Sequence, residues 1–317
     1  MLWCEKIRKT SIKSMSCVNN YSLSSVDCFP EALSILTNIH DSCLFHEEHN
    51  LSHPGDLFLL TFNDVIECAH RLAKITNNEA KRYSAVQSEG LSNIDSIRIE
   101  IFNLLFYSSN FIESCQSIIK SLFKDGAKDK NFVRAIREFL DNTKSYREHT
   151  SKIVNLIKHQ HRRVRPFTFS WDSHLIIGYF IEGLLAPTVL GPDPQVHKPF
   201  NNINTYHLVN VYYASACLAS VVKKYAKITN DTTPKIPGDH IMECLSELSN
   251  ITLLLLPDEF KKEIPVISKH KDGKFTLEMP SKKKPINEKP HSASVAVNAK
   301  MGIANRSFAP PYMPINS

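Results

Sequence analysis

Between Asn155 and Arg165 the chain sets Asn155, Lys158, His159, His161, Arg162, Arg163 and Arg165 within eleven residues. That mixture can act on a phosphodiester. On a helix Asn155 and His159 lie one turn apart and share a face, with Arg162 a further turn along. Neighbouring cations disfavour protonation of an imidazole. A neutral imidazole can take a proton from a ribose 2′-hydroxyl while a guanidinium stabilises the charge that develops on phosphorus. This is the chemistry of a metal-free ribonuclease, and it needs no cofactor. Asn155 and His159 are then the catalytic pair, and Lys158, His161, Arg162, Arg163 and Arg165 the contacts to nucleic-acid phosphate. A plainer reading stands beside it: cations near a helix C-terminus are favoured by the macrodipole, and these residues then only cap a helix.

A second cluster, His40, Cys43, His46, Glu47, Glu48, His49 and His53, supplies ligand types for zinc. A three-residue spacing drifts by about 60° per step around a helix, so these groups spread rather than converge. His-Glu-Glu-His is also not the His-Glu-x-x-His of metalloproteases. A polar loop without metal is the expectation. No G-x-G-x-x-G, no G-x-x-x-x-G-K-[ST] and no G-x-S-x-G occurs, which removes the common dinucleotide, P-loop and serine-hydrolase readings. The eight cysteines are dispersed, with no C-x-x-C, and suit a reducing, cytoplasmic setting. The N-terminus does not read as a signal peptide. The longest apolar stretch, 174–191, contains Glu182, Gly183 and Pro187, so no membrane span is expected.

The elements that must hold these groups are mostly helical. A short helix is predicted from Glu31 to His40 and another from about Pro54 to Ser84. Ile97, Ile101, Leu104, Leu105, Ser108, Phe111, Ile112, Cys115, Ile119 and Leu122 then form one apolar stripe. Phe132, Ile136, Phe139, Thr143, Tyr146, Thr150, Ile153 and Ile157 alternate by four and three. That spacing predicts a single long helix with one seam, facing a helix of the same chain or of a second subunit in a homodimer. Arg165-Pro166 ends it. Aromatic and β-branched residues over about 167–190 predict a small inserted β-hairpin. Its Phe167, Phe169, Trp171, Tyr179 and Phe180 either stack bases or form a packed face. Helical spacing returns over Asn204–Ala226 and His240–Leu256.

The charge is uneven. Residues 261–317 hold 11 Lys and Arg against four Asp and Glu, while the rest is close to neutral. With seven of the 17 prolines and the run Lys282-Lys283-Lys284, this segment reads as a disordered basic tail that solubilises the chain or binds RNA or a protein partner. A short extended piece near Phe275 is expected to dock. The domain plan is therefore an irregular 1–30, a helical bundle with a β-ribbon over 31–260, and the tail 261–317.

A long helical pair whose second member ends in Asn-x-x-Lys-His, followed by a ribbon and another amphipathic helix, resembles HEPN-like domains over about residues 56–256. The resemblance implies an all-α bundle that often dimerises and, in many members, a ribonuclease of toxin–antitoxin or phage-defence systems. The family motif is Arg, a polar residue, then His four to six positions after the Arg. Asn155 and His159 occupy the last two positions, and Val154 stands where the Arg belongs. The expectation is a mainly α, HEPN-like protein that binds or cleaves RNA, with a non-enzymatic helical scaffold as the alternative.

Overall fold

Proline at the first helical position gives up no hydrogen bond, and Pro54 starts the longest helix in this way. His53 Nδ1 accepts the Gly55 N–H at 3.2 Å. Beyond it Phe58, Phe62, Val65, Ile66, Ala69, Leu72 and Ala73 recur at helical spacing, and all are buried. A computed structural model describes residues 8–9, 20–23, 28–86, 92–171, 174–193, 203–229, 236–251, 254–255, 265–278, 293–297 and 307–311. The protein is mainly α. Its helices are α1 (Glu31–Thr37), α2 (Pro54–Val86), α3 (Ile94–Lys120), α4 (Lys130–Asn142), α5 (Lys144–Gln160), α6 (Ile203–Tyr225) and α7 (Asp239–Ser249). Its strands are β1 (Arg8–Lys9), β2 (Asn20–Leu23), β3 (Val164–Trp171), β4 (His174–Ala186), β5 (Val189–Pro192), β6 (Leu254–Leu255), β7 (Val266–Lys269), β8 (Phe275–Glu278), β9 (Ala293–Val297) and β10 (Ser307–Phe308).

Helix α2 lies against α3 and α7, and α6 touches α1, α2, α3 and α4. Aromatic rings join these helices. Phe62 stacks on Phe58 at 5.7 Å and meets Tyr212 of α6 edge-on at 5.5 Å, while Phe111 of α3 meets Phe58 at 5.7 Å. The Tyr212 hydroxyl donates to the Cys28 carbonyl at 2.6 Å, so this buried polar group is satisfied. Among the described residues no helix is long and apolar enough to cross a membrane.

The single helix predicted over 132–157 is in fact two, broken at Thr143 (φ −97°, ψ 6°). Asp141, Asn142 and Thr143 all compete with the helical backbone for hydrogen bonds, and the Thr143 hydroxyl donates to the Phe139 carbonyl at 2.7 Å. The apolar seam nevertheless stays inward: Phe139, Thr143, Tyr146, Thr150 and Ile153 are all buried. It packs on α3 and α6 of the same chain. Of the two partners the spacing allows, helices of the same chain face this seam.

Strands β3 and β4 pair antiparallel from Val164↔Ile181 to Trp171↔His174. They are not an isolated small ribbon but the centre of a five-stranded sheet, in the order β10-β5-β4-β3-β9. Tyr179 and Ile181 of β4 turn toward the helical core, and Phe180 between them meets Phe308 of β10 at 6.0 Å. The segment expected as a disordered tail thus supplies β7, β8, β9 and β10. Its strands are only two to five residues long, too short for their period-two alternation to outweigh proline and lysine in the composition. The Lys282–Lys284 run lies outside the described residues. The 1–30 segment likewise contributes β1, paired with β6, and β2, which joins β8 and β7.

Glu79, only 1% exposed, holds the end of α2 to the start of α3. It takes the Arg82 guanidinium at 2.8 Å, the Ser92 N–H at 3.2 Å, the Ser92 hydroxyl and the Asn93 amide at 3.0 Å. Burial alone would raise its carboxyl, but the bonds from Ser92 and Arg82 outweigh burial and hold it below the usual glutamate range. A carboxyl lowered in the folded state stabilises above its unfolded pKa, and that contribution is lost as pH falls through the lowered value. Glu79→Gln is expected to flatten the acid limb of the stability–pH curve, measured by urea unfolding between neutral pH and about pH 3.

Candidate nucleic-acid interface at the end of α5

Helix α5 stops at Gln160 because His161 turns left-handed (φ 54°), a conformation in which histidine is enriched among non-glycine residues. The N–H groups of His161 and Arg162 both reach back to the Leu156 carbonyl. The chain reverses there, and this decides where each predicted residue goes. Asn155 and His159 are exposed on one shallow face of α5, bordered by Glu148, Ser151 and Lys152. Arg162 does not continue that face, since the helix has ended. It lines a separate cleft of about 410 Å³ between α3 and the start of β3.

Lys158, His161 and Arg163 are exposed around the same corner. Arg165 is not. It is 6% exposed, and its guanidinium binds the Glu182 carboxylate of β4 at 2.5 and 2.6 Å. It borders the same cleft, but its charge is already paired within the sheet, against the expectation of a free cation for phosphate. Of the two readings of the strand aromatics, the packed face is the one found. Phe167, Phe169, Tyr179 and Phe180 are buried, because β3 and β4 are covered on both faces. The side chain of Trp171 lies outside the described residues.

The structure supplies aromatics that the sequence motifs do not single out. Phe102 and Phe106 of α3 stack at 4.4 Å with 26° between their planes, and Phe102 is exposed. The Lys158 ammonium sits 5.1 Å from the centre of the Phe106 ring. Phe102, Arg98, Arg162 and Arg163 border the 410 Å³ cleft, and the buried Arg162 Nε has no hydrogen-bond partner there. Both rings fall outside the apolar stripe of α3. The signal that points to them is a pair of large apolar residues one turn apart on a helix face that should be polar.

Other candidate chemistry disperses. His40 Nδ1 accepts the Ser42 N–H, His49 Nε2 bonds the Phe123 carbonyl at 2.8 Å, and His53 caps α2. Among the described residues no three His, Cys, Asp or Glu side chains converge as metal ligands. Burial pushes up the thiols of Cys68, Cys115 and Cys217, and that of Cys244 to about 12, so these cysteines stay protonated and unreactive. The corner of α5 can therefore hold anions and stack rings. Among the described residues that border the face of Asn155 and His159, none is an arginine.

If the Arg165–Glu182 pair is structural, removing one partner strands a buried charge. Glu182→Ala is expected to cost about 3 kcal/mol in urea unfolding. The Glu182→Leu/Arg165→Met double variant should recover most of that loss, because an apolar pair strands no charge. Compared with family models, curated proteins and solved structures, the chain matches none.

Proposed function

We propose that this protein binds single-stranded RNA at the corner formed by the end of α5 and the outer face of α3, without cutting it. The observation that carries this reading is the stacked pair Phe102–Phe106 set among Lys158, Arg98, Arg162 and Arg163. Single strands are held by cations that follow the backbone and by aromatic faces on which bases stack. Lys158, His161 and Arg163 supply the phosphate contacts, Phe102 the stacking surface, and Arg162 Nε a donor into the cleft. The HEPN-like resemblance supports an RNA ligand. Val154 in place of the motif arginine, together with the Arg165–Glu182 pairing, favours binding over cleavage.

Exposure of Ile99 beside Phe102 favours a second reading, in which the same corner docks a protein and the chain is a non-enzymatic scaffold. Fluorescence anisotropy with a labelled single-stranded RNA, titrated at several salt concentrations, separates the two. Lys158→Ala/Arg163→Ala is expected to reduce the slope of log K against log salt by about 1.4, roughly 0.7 for each phosphate left without its cation. Phe102→Ala is expected to weaken binding by about 1–3 kcal/mol with the slope unchanged. His159→Ala and the wild type should both leave the RNA intact. Absence of RNA binding at low salt would overturn the RNA reading and leave the docking one.

A further inference from the structure

On a different side of α3 from that corner is a cavity of about 660 Å³, bordered by α2, α3, β4, the first turn of α6 and the end of α7. The volume falls within the roughly 300–1,000 Å³ typical of small-molecule sites. Its walls are apolar where Ile97, Ile101 and Ile176 line it. At one end stands Asn204, the second residue of α6. It is only 5% exposed, and its Oδ1 is buried without a hydrogen-bond partner. A buried carbonyl left unpaired is costly, and native structures rarely tolerate one. A ligand that satisfies it must bring an N–H or O–H. A carboxylate or a phosphodiester offers only acceptors and cannot do so.

The charges on the rim point the same way. Lys81 and Glu247 both border the cavity, so cation and anion offset each other and no net charge selects an ion. Asn77 is already committed, donating to the Glu247 carboxylate at 2.8 Å and to its carbonyl at 3.0 Å. Thr205 and Asn250 remain on the border as hydroxyl and carboxamide partners. The combination is a neutral slot with aliphatic walls, one buried acceptor and a polar rim.

We infer that this cavity binds a neutral heterocycle carrying a ring amide, of which a uracil nucleoside is the best fit. The ring N–H donates to Asn204 Oδ1, the ring faces lie against Ile97, Ile101 and Ile176, and the ribose hydroxyls meet Thr205 and Asn250. The site shares no residue with the RNA-binding corner and does not depend on that reading.

The test is calorimetric titration of the whole chain with uridine, uracil and 3-methyluridine, whose methyl group replaces the donor hydrogen. Uridine is expected to bind, and 3-methyluridine to bind about tenfold or more weakly, because a site built around an N–H rejects the analogue lacking it. Uracil binding as tightly as uridine would mean that the ligand is the free cyclic amide, with the rim reading no sugar. Asn204→Ala should erase the discrimination between uridine and its methyl analogue. Ala85→Trp, at an exposed position on the cavity border, should block both ligands with the circular dichroism and melting curve unchanged. Lys158→Ala/Phe102→Ala should bind uridine as the wild type does, and a loss there would move the ligand to the corner and overturn the inference. Failure of uridine to bind, equal binding of uridine and 3-methyluridine, or an Ala85→Trp protein that binds normally would overturn it too. If Asn204→Ala does not fold, the wild-type comparison of the two nucleosides decides.

Discussion

A guanidinium and a carboxylate withdrawn from water are tolerated only as a tightly bonded pair, and Arg165 and Glu182 meet that condition across β3 and β4. Much of the arrangement around the end of α5 depends on this pair. It fixes Arg165 inside the sheet soon after α5 ends, so only the short stretch from His161 to Val164 can swing between helix and strand. The left-handed turn at His161 uses that freedom to reverse the chain. Arg162 and Arg163 then both border the cleft against α3, with Arg163 the more exposed of the two. The backbone ladder reinforces the anchor, since Arg165 is paired with Phe180 of β4.

The same constraint explains how much of the architecture can be read from residues alone. The apolar stripe from Ile97 to Leu122 yields α3 to within about three residues at each end, because a period of 3.6 repeated over seven turns leaves little room for another element. The seam over 132–157 is legible as a buried face for the same reason. The break at Thr143 is not, because it depends on three polar residues whose competition for backbone groups is a local energy difference rather than a pattern. The strands drawn from 261–317 are hidden by composition. Two to five residues of alternation carry a weak signal, and only the finished sheet, with Phe180 needing a cover such as Phe308, makes them necessary.

The candidate site is legible in part. The exposed face holding Asn155 and His159 follows directly from their four-residue spacing and its offset from the seam. The expectation that Arg162 continues that face assumes a helix longer than the one that forms. Arg165 reads as one more surface cation, since a sequence cannot show that a glutamate seventeen positions later will lie beside it. Phe102 and Phe106 escape notice because attention to the buried stripe of α3 discounts what lies between its members. The exposed Phe102 is the more telling signal there, as core packing accounts for Phe106 but not for it.

Helix α3 places its two surfaces through simple geometry. Ile97 and Ile101 line the cavity, while Arg98 and Phe102, each one position later, border the cleft. One residue along a helix is about 100° around it, so each pair sits one turn apart along its own side. A rigid helix with two such sides keeps both sites in fixed relation only if its ends cannot slide. At its start that restraint is the Glu79 cluster, which gathers Arg82, Ser92 and Asn93 onto one buried carboxylate. Toward its far end Phe111 is locked among the rings of Phe58 and Phe62. Buried and hydrogen-bonded at one end and close-packed at the other, α3 is held more firmly than either site it serves, as a binding surface built on a helix requires.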